Sequence, residues 1–86
     1  MTVSELKTIL TNERFRPSIY SLDGGLSNDT FCLAKDYRGW CVCYSERGEK
    51  FDETCFTSED EACNELLRRL RALPESDTRV PRPTSG

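Results

Sequence analysis

Eighty-six residues, 36% hydrophobic and 31% charged, describe one small globular domain with a core too modest to make it strongly stable unaided. A net charge of −3 and a pI near 4.9 exclude a protein held on nucleic acid by phosphate neutralisation, which needs a basic face. No apolar run approaches the length of a membrane span, and the polar start MTVSELKTIL lacks the uninterrupted apolar segment of a signal peptide, so the expected address is cytoplasmic.

The first element expected is a helix. Thr2 or Ser4 can cap it, and the spacing Thr2-x-x-Glu5 is that of a capping box. Val3, Leu6, Ile9 and Leu10 recur at three- and four-residue intervals as one apolar stripe. The helix should end by Asn12 or Glu13, because Arg16 precedes Pro17 and that position disfavours helical angles. Ser18–Leu22 reads as a short strand and Asp23-Gly24-Gly25 as a plain turn, with Leu26–Asp29 as loop.

From Thr30 the chain alternates. Phe31 and Leu33 oppose Cys32 and Ala34, and Asp36-Tyr37-Arg38-Gly39 forms a four-residue hairpin loop. Trp40, Val42 and Tyr44 then share one face, against Cys41, Cys43 and Ser45 on the other. The aromatic face reads first as core against a helix; its other reading places Trp40 or Tyr44 at a partner interface. The Cys41, Cys43, Ser45 face is expected to be exposed. Arg47-Gly48 turns the chain into a third, less regular strand, Glu49–Phe56, with Phe51 and Phe56 as inward anchors.

The last helix is the most strongly signalled element. Ser58-Glu59-Asp60-Glu61 sets a cap and three acids at its positive end. Ala62, Cys63, Leu66, Leu67, Leu70 and Leu73 make its buried stripe, and Pro74 stops it. Arg68, Arg69 and Arg71 suit the negative end of the helix dipole and read as a solvated last turn. The remainder, ESDTRVPRPTSG, is poor in apolar residues and reads as a disordered tail. The fold class is therefore α+β: an antiparallel sheet of three or four strands packed by the C-terminal helix, with a short N-terminal helix. Residues 1–73 form the domain and 74–86 the tail.

Catalytic chemistry has little to work with. The sequence has no histidine, the commonest general base and metal ligand, and no P-loop, GxGxxG or HExxH pattern. Neither Asp52-Glu53 nor Glu59-Asp60-Glu61 sits in a predicted apolar pocket that would raise a carboxyl pKa. Five cysteines are an odd number, unsuited to a closed disulfide framework, and a cytoplasmic setting keeps them reduced. A zinc site is the alternative, with Cys41-x-Cys43 the one tight pair, though structural zinc asks for two such knuckles. Neither an enzyme nor a cofactor is expected. What remains is charge: between Glu46 and Glu61 there are seven acids against Arg47 and Lys50, a local net of −5, which is either a solvated surface or one complementary to a basic partner.

The run Phe31-Cys32-Leu33, Gly39-Trp40-x-Val42-x-Tyr44-Ser45-Glu46-Arg47-Gly48-x-Lys50, Phe56-x-Ser58-Glu59-x-Glu61-Ala62-Cys63 resembles small bacterial immunity proteins. These are encoded beside secreted polymorphic or contact-dependent toxins, which they neutralise. Where that pattern often carries an aromatic residue, this chain has Cys43. The resemblance implies a cytoplasmic antitoxin that binds a cognate toxin tightly and occludes its active site or substrate path. An acidic inhibitor suits a nuclease or a nucleotide-consuming enzyme, with no role for nucleic acid or membrane as partner. On this analogy Glu46 and Arg47 are polar contacts, Glu49, Asp52 and Glu53 steering charges, and Tyr37 an aromatic anchor. A stand-alone regulatory or zinc-sensing module, in which the cysteines matter, is the alternative.

Overall fold

The computed structural model describes residues 1–22 and 29–80. The expected Asp23-Gly24-Gly25 turn and all but the last residue of the Leu26–Asp29 loop lie outside those residues. Helix α1 spans Val3–Asn12. Its capping box is complete: Thr2 Oγ1 accepts from the Glu5 amide at 3.2 Å, and Glu5 Oε1 accepts from the Thr2 amide at 3.2 Å. Leu6 and Leu10 face the core.

The Ser18–Leu22 strand is largely corrected. Pro17 opens a 3₁₀ turn over Pro17–Ile19, closed by the Ile19 amide donating to the Arg16 carbonyl at 3.1 Å. The turn consumes most of the residues expected to extend, since the ring fixes φ and withholds a donor. Only β1, Tyr20–Ser21, pairs with the sheet. It does so in parallel with β2, Thr30–Asp36, so the four-stranded sheet is mixed rather than wholly antiparallel.

The order is β1-β2-β3-β4, with β3 at Gly39–Glu46 and β4 at Glu49–Phe56. The first hairpin is tighter than expected. Asp36 and Gly39 form its last rung, leaving a two-residue turn of Tyr37 and Arg38. Asp36 Oδ1 holds that turn by accepting from the Arg38 amide at 2.7 Å. In the second hairpin Arg47 (φ 53°) and Gly48 (φ 81°) are both left-handed, the backbone that matches the twist of a two-residue connection.

One irregularity in β4 decides which of its side chains reach the helix. Tyr44 pairs with Phe51, but Val42 pairs with Thr54, so β4 carries one extra residue opposite Cys43. Asp52 takes up the bulge at φ 53°. Phe51 and Phe56 are an odd number of residues apart and would face opposite sides of a regular strand. The bulge brings both to the helix side.

That side is closed by α2, Glu59–Arg71, whose Ala62, Cys63, Leu66, Leu67 and Leu70 pack with Leu6, Leu10, Phe15, Leu33 and Val42. Burying such leucines stabilises the domain by about 1.5–3 kcal/mol each. Trp40, Phe56 and Leu73 are only half-buried around this cluster, and Tyr44 is half-buried outside it. Glu59 and Asp60 also hold the neighbouring helix: Glu59 Oε2 accepts from the Val3 amide at 2.7 Å, and Asp60 pairs with the terminal amine of Met1.

Two expectations fail here. Cys41, Cys43 and Ser45 are buried, not exposed. On their side of the sheet a line of ion pairs runs from Asp36 through Arg38 and Glu53 to Lys50, linking β2 to β4 across the small β3 side chains. The tail expected over residues 74–86 is also partly corrected: residues 74–80 are structured, and 81–86 lie outside the described residues. Helix α3, Glu75–Thr78, follows Pro74. The Arg16 amide donates to the Thr78 carbonyl at 2.8 Å and the Val80 amide to the Arg14 carbonyl at 2.6 Å. Arg79 lies over the Phe15 ring at 3.8 Å. Low apolar content did not prevent order because backbone pairing with Phe15 and one buried threonine, Thr78, anchor the segment.

A candidate partner-binding groove

The six expected contact residues do not form one site. Tyr37 tops the first hairpin, 95% exposed, with the Arg38 guanidinium 5.7 Å from its ring centre. Glu46, Arg47 and Glu49 are at the opposite end of β3, around the second hairpin. Glu53 faces the cysteine side, where it accepts from Arg38 Nη1 at 2.8 Å and pairs with Lys50 at 3.4 Å. Arg38 beside it holds the Glu53 carboxyl below its usual range, so this acid is committed to the fold. Asp52 alone turns toward the helix side, where the bulge places it.

There it meets residues that sequence reasoning had assigned elsewhere. Phe31, Tyr44 and Phe51 are register partners on three adjacent strands, one aromatic row across the sheet. Phe31 and Tyr44 have ring centres 4.9 Å apart at 58°, the tilted geometry favoured by ring quadrupoles. Helix α2 does not fully cover this row, and Phe51 is 42% exposed. Two adjoining cavities of about 610 and 570 Å³ share Phe31, Tyr44 and Asp52. The first extends under Arg68, Arg69 and Ala72; the second is closed by Ile19, Leu73, Asp29 and Asp77.

The charges around the groove are unequally occupied. Arg68 and Arg69 are bound by Glu65, at 2.6 and 2.7 Å. Arg69 Nη2 also donates to Thr54 Oγ1 at 3.1 Å, while its buried Nη1 meets no acceptor among the described residues. Arg71 pairs with Glu13 across the helices. The three arginines are thus held by two carboxylates, Glu65 of α2 and Glu13 just beyond α1, and are not merely solvated. In the second cavity, Asp29 accepts from the Tyr44 hydroxyl at 3.2 Å, and burial with this carboxylate raises the phenol pKa. The ion pairs of the described residues include neither Asp52 nor Asp77. Aromatic faces bordered by carboxylates lacking an intramolecular counter-ion are suited to hold a cation.

The cysteines differ from expectation. Cys41 and Cys55 form a disulfide between β3 and β4, with Cα atoms 4.0 Å apart. Register explains the pairing, because the two residues are directly opposed. Cys32, Cys43 and Cys63 are buried thiols. Burial pushes Cys43 up, and burial followed by the Glu59 charge pushes Cys63 up to about 11, so neither is poised as a thiolate. Among the described residues no three Cys, Asp or Glu side chains converge to hold a metal ion. No described helix is long and apolar enough to cross a membrane. Compared with protein-family models, curated proteins and solved structures, the chain matches none of them.

Sequence reasoning missed Phe31, Phe51, Asp29 and Asp77 as groove residues, and gave Tyr44 chiefly to the core. The one available signal was the odd Phe51–Phe56 spacing, which implies a bulge if both rings share a face. Asp77 stood in the supposed tail.

Proposed function

We propose that the protein is a non-enzymatic immunity protein that binds a cognate bacterial toxin and occludes its active site or substrate path. The observation that carries this reading is the aromatic row Phe31–Tyr44–Phe51, open to solvent beside Asp29, Asp52 and Asp77. Aromatic anchors of this kind dominate protein–protein binding energy, and the carboxylates favour a basic partner face such as a nuclease or a nucleotide-consuming enzyme presents to its substrate. The Gly39–Gly48 strand-and-turn resemblance to immunity proteins points the same way.

The test is co-expression with the product of the adjacent gene. Cells carrying both should survive, and the purified pair should associate more slowly as salt rises, because exposed carboxylates steer the encounter. Equal killing with and without this chain would falsify the reading.

A further inference from the structure

We infer that the second cavity, between Tyr44 and the carboxylates of Asp29, Asp52 and Asp77, is the receptor for an arginine side chain of the partner. This rests on the binding role proposed above and deepens it by naming the group received.

Three features of the cavity fit a guanidinium. Its floor is the Phe31–Tyr44 pair, on which a planar cation stacks. Its rim carries Asp52 and Asp77, exposed acids outside the described ion pairs, from the bulge of β4 and from α3. Ile19 and Leu73 complete the lining and provide apolar surface for the methylenes of a long side chain. A planar fork that pairs with carboxylates while stacking on a ring is a property of arginine rather than lysine.

The chain itself twice assembles the same combination. Arg79 lies 3.8 Å over Phe15 and within 4.0 Å of Glu13 and Glu75. Arg38 lies 5.7 Å from the Tyr37 ring centre while pairing with Asp36 and Glu53. The second cavity repeats the ring and the acids, and among the described residues no arginine lines it.

The test needs no toxin. A capped Gly-Arg-Gly peptide is titrated into the ¹⁵N-labelled full chain, with capped Gly-Lys-Gly as comparison. Saturable amide shifts centred on Phe31, Tyr44, Asp52 and Leu73 are expected, with the arginine peptide binding several-fold tighter. The double variant Asp52→Asn with Asp77→Asn should weaken binding by about fivefold or more, the loss of two partly exposed charge contacts. Its melting temperature should not move, because asparagine tolerates the left-handed backbone of position 52 and neither acid belongs to a described ion pair. Absence of saturable shifts, shifts centred on the Glu46–Glu49 turn, or equal binding of the lysine peptide overturns the inference. Peptide binding without protection from the toxin leaves the receptor standing and removes the immunity reading; protection without peptide binding does the reverse.

Discussion

Gly39 begins β3 at φ +112°, and a methyl group added there would stand 2.4 Å from the Phe56 carbonyl oxygen. Both the backbone angle and the neighbouring strand therefore require glycine. Gly48 is the useful contrast: its φ is +81°, but nothing lies within 4 Å of an added Cβ. Gly48→Ala should cost only the left-handed strain, about 1 kcal/mol. Gly39→Ala adds a backbone clash that no side-chain rotation relieves, and a loss of roughly 2–4 kcal/mol is expected. Urea unfolding of the two variants measures the difference. Equal losses would mean that β4 moves away from Gly39 at little cost.

At the scale of elements, the bulge in β4 organises more than its own strand. If the register of the Glu46–Glu49 end continued unbroken, Thr54 would oppose Cys41 and Cys55 would point to the helix side with Trp40. The extra residue at Asp52 moves Cys55 opposite Cys41, where the disulfide forms. The same shift leaves Asp52 over the groove, next to Phe51, which pairs with Tyr44 in the register that precedes the bulge. This is why helix α2 was legible in the sequence while the groove and the disulfide were not. Its cap and its stripe from Ala62 to Leu70 are local patterns, readable within a few turns of chain. The opposition of Cys41 and Cys55 depends on a turn type and a bulge acting together, and an odd cysteine count spoke against a closed disulfide framework. Joining residues 14 apart restricts the unfolded chain enough to contribute as much as about 3 kcal/mol. Reduction should therefore lower the melting temperature of the native chain, and a Cys41→Ser, Cys55→Ser variant should melt with the reduced protein. An identical melt in oxidising and reducing buffer would show that the bridge does not restrain β4.

The whole molecule is tied together by acids that accept from arginines. Glu13 binds Arg71 across α1 and α2, and Glu65 binds Arg68 and Arg69, the latter reaching β4 through Thr54. Arg71 lowers the Glu13 pKa, and Arg68, with Arg69, takes Glu65 down to about 2. A carboxylate whose folded pKa lies below its unfolded value is protonated more readily in the unfolded chain. Its contribution is thus complete above the ordinary value of 4.5 and shed as pH falls toward 2. The Glu65 side chain is 19% exposed, so after solvent screening its share is about 1–2 kcal/mol. Protonation also strips the negative charge that balances twelve Lys and Arg residues, and the resulting self-repulsion acts in the same direction. Urea midpoints should accordingly hold steady above about pH 5 and fall steeply between pH 4.5 and 2. Glu65→Gln should be less stable than the native chain at pH 7 and converge with it at pH 2. Parallel curves across that range would remove Glu65 from the acid response and leave it to the remaining paired carboxylates.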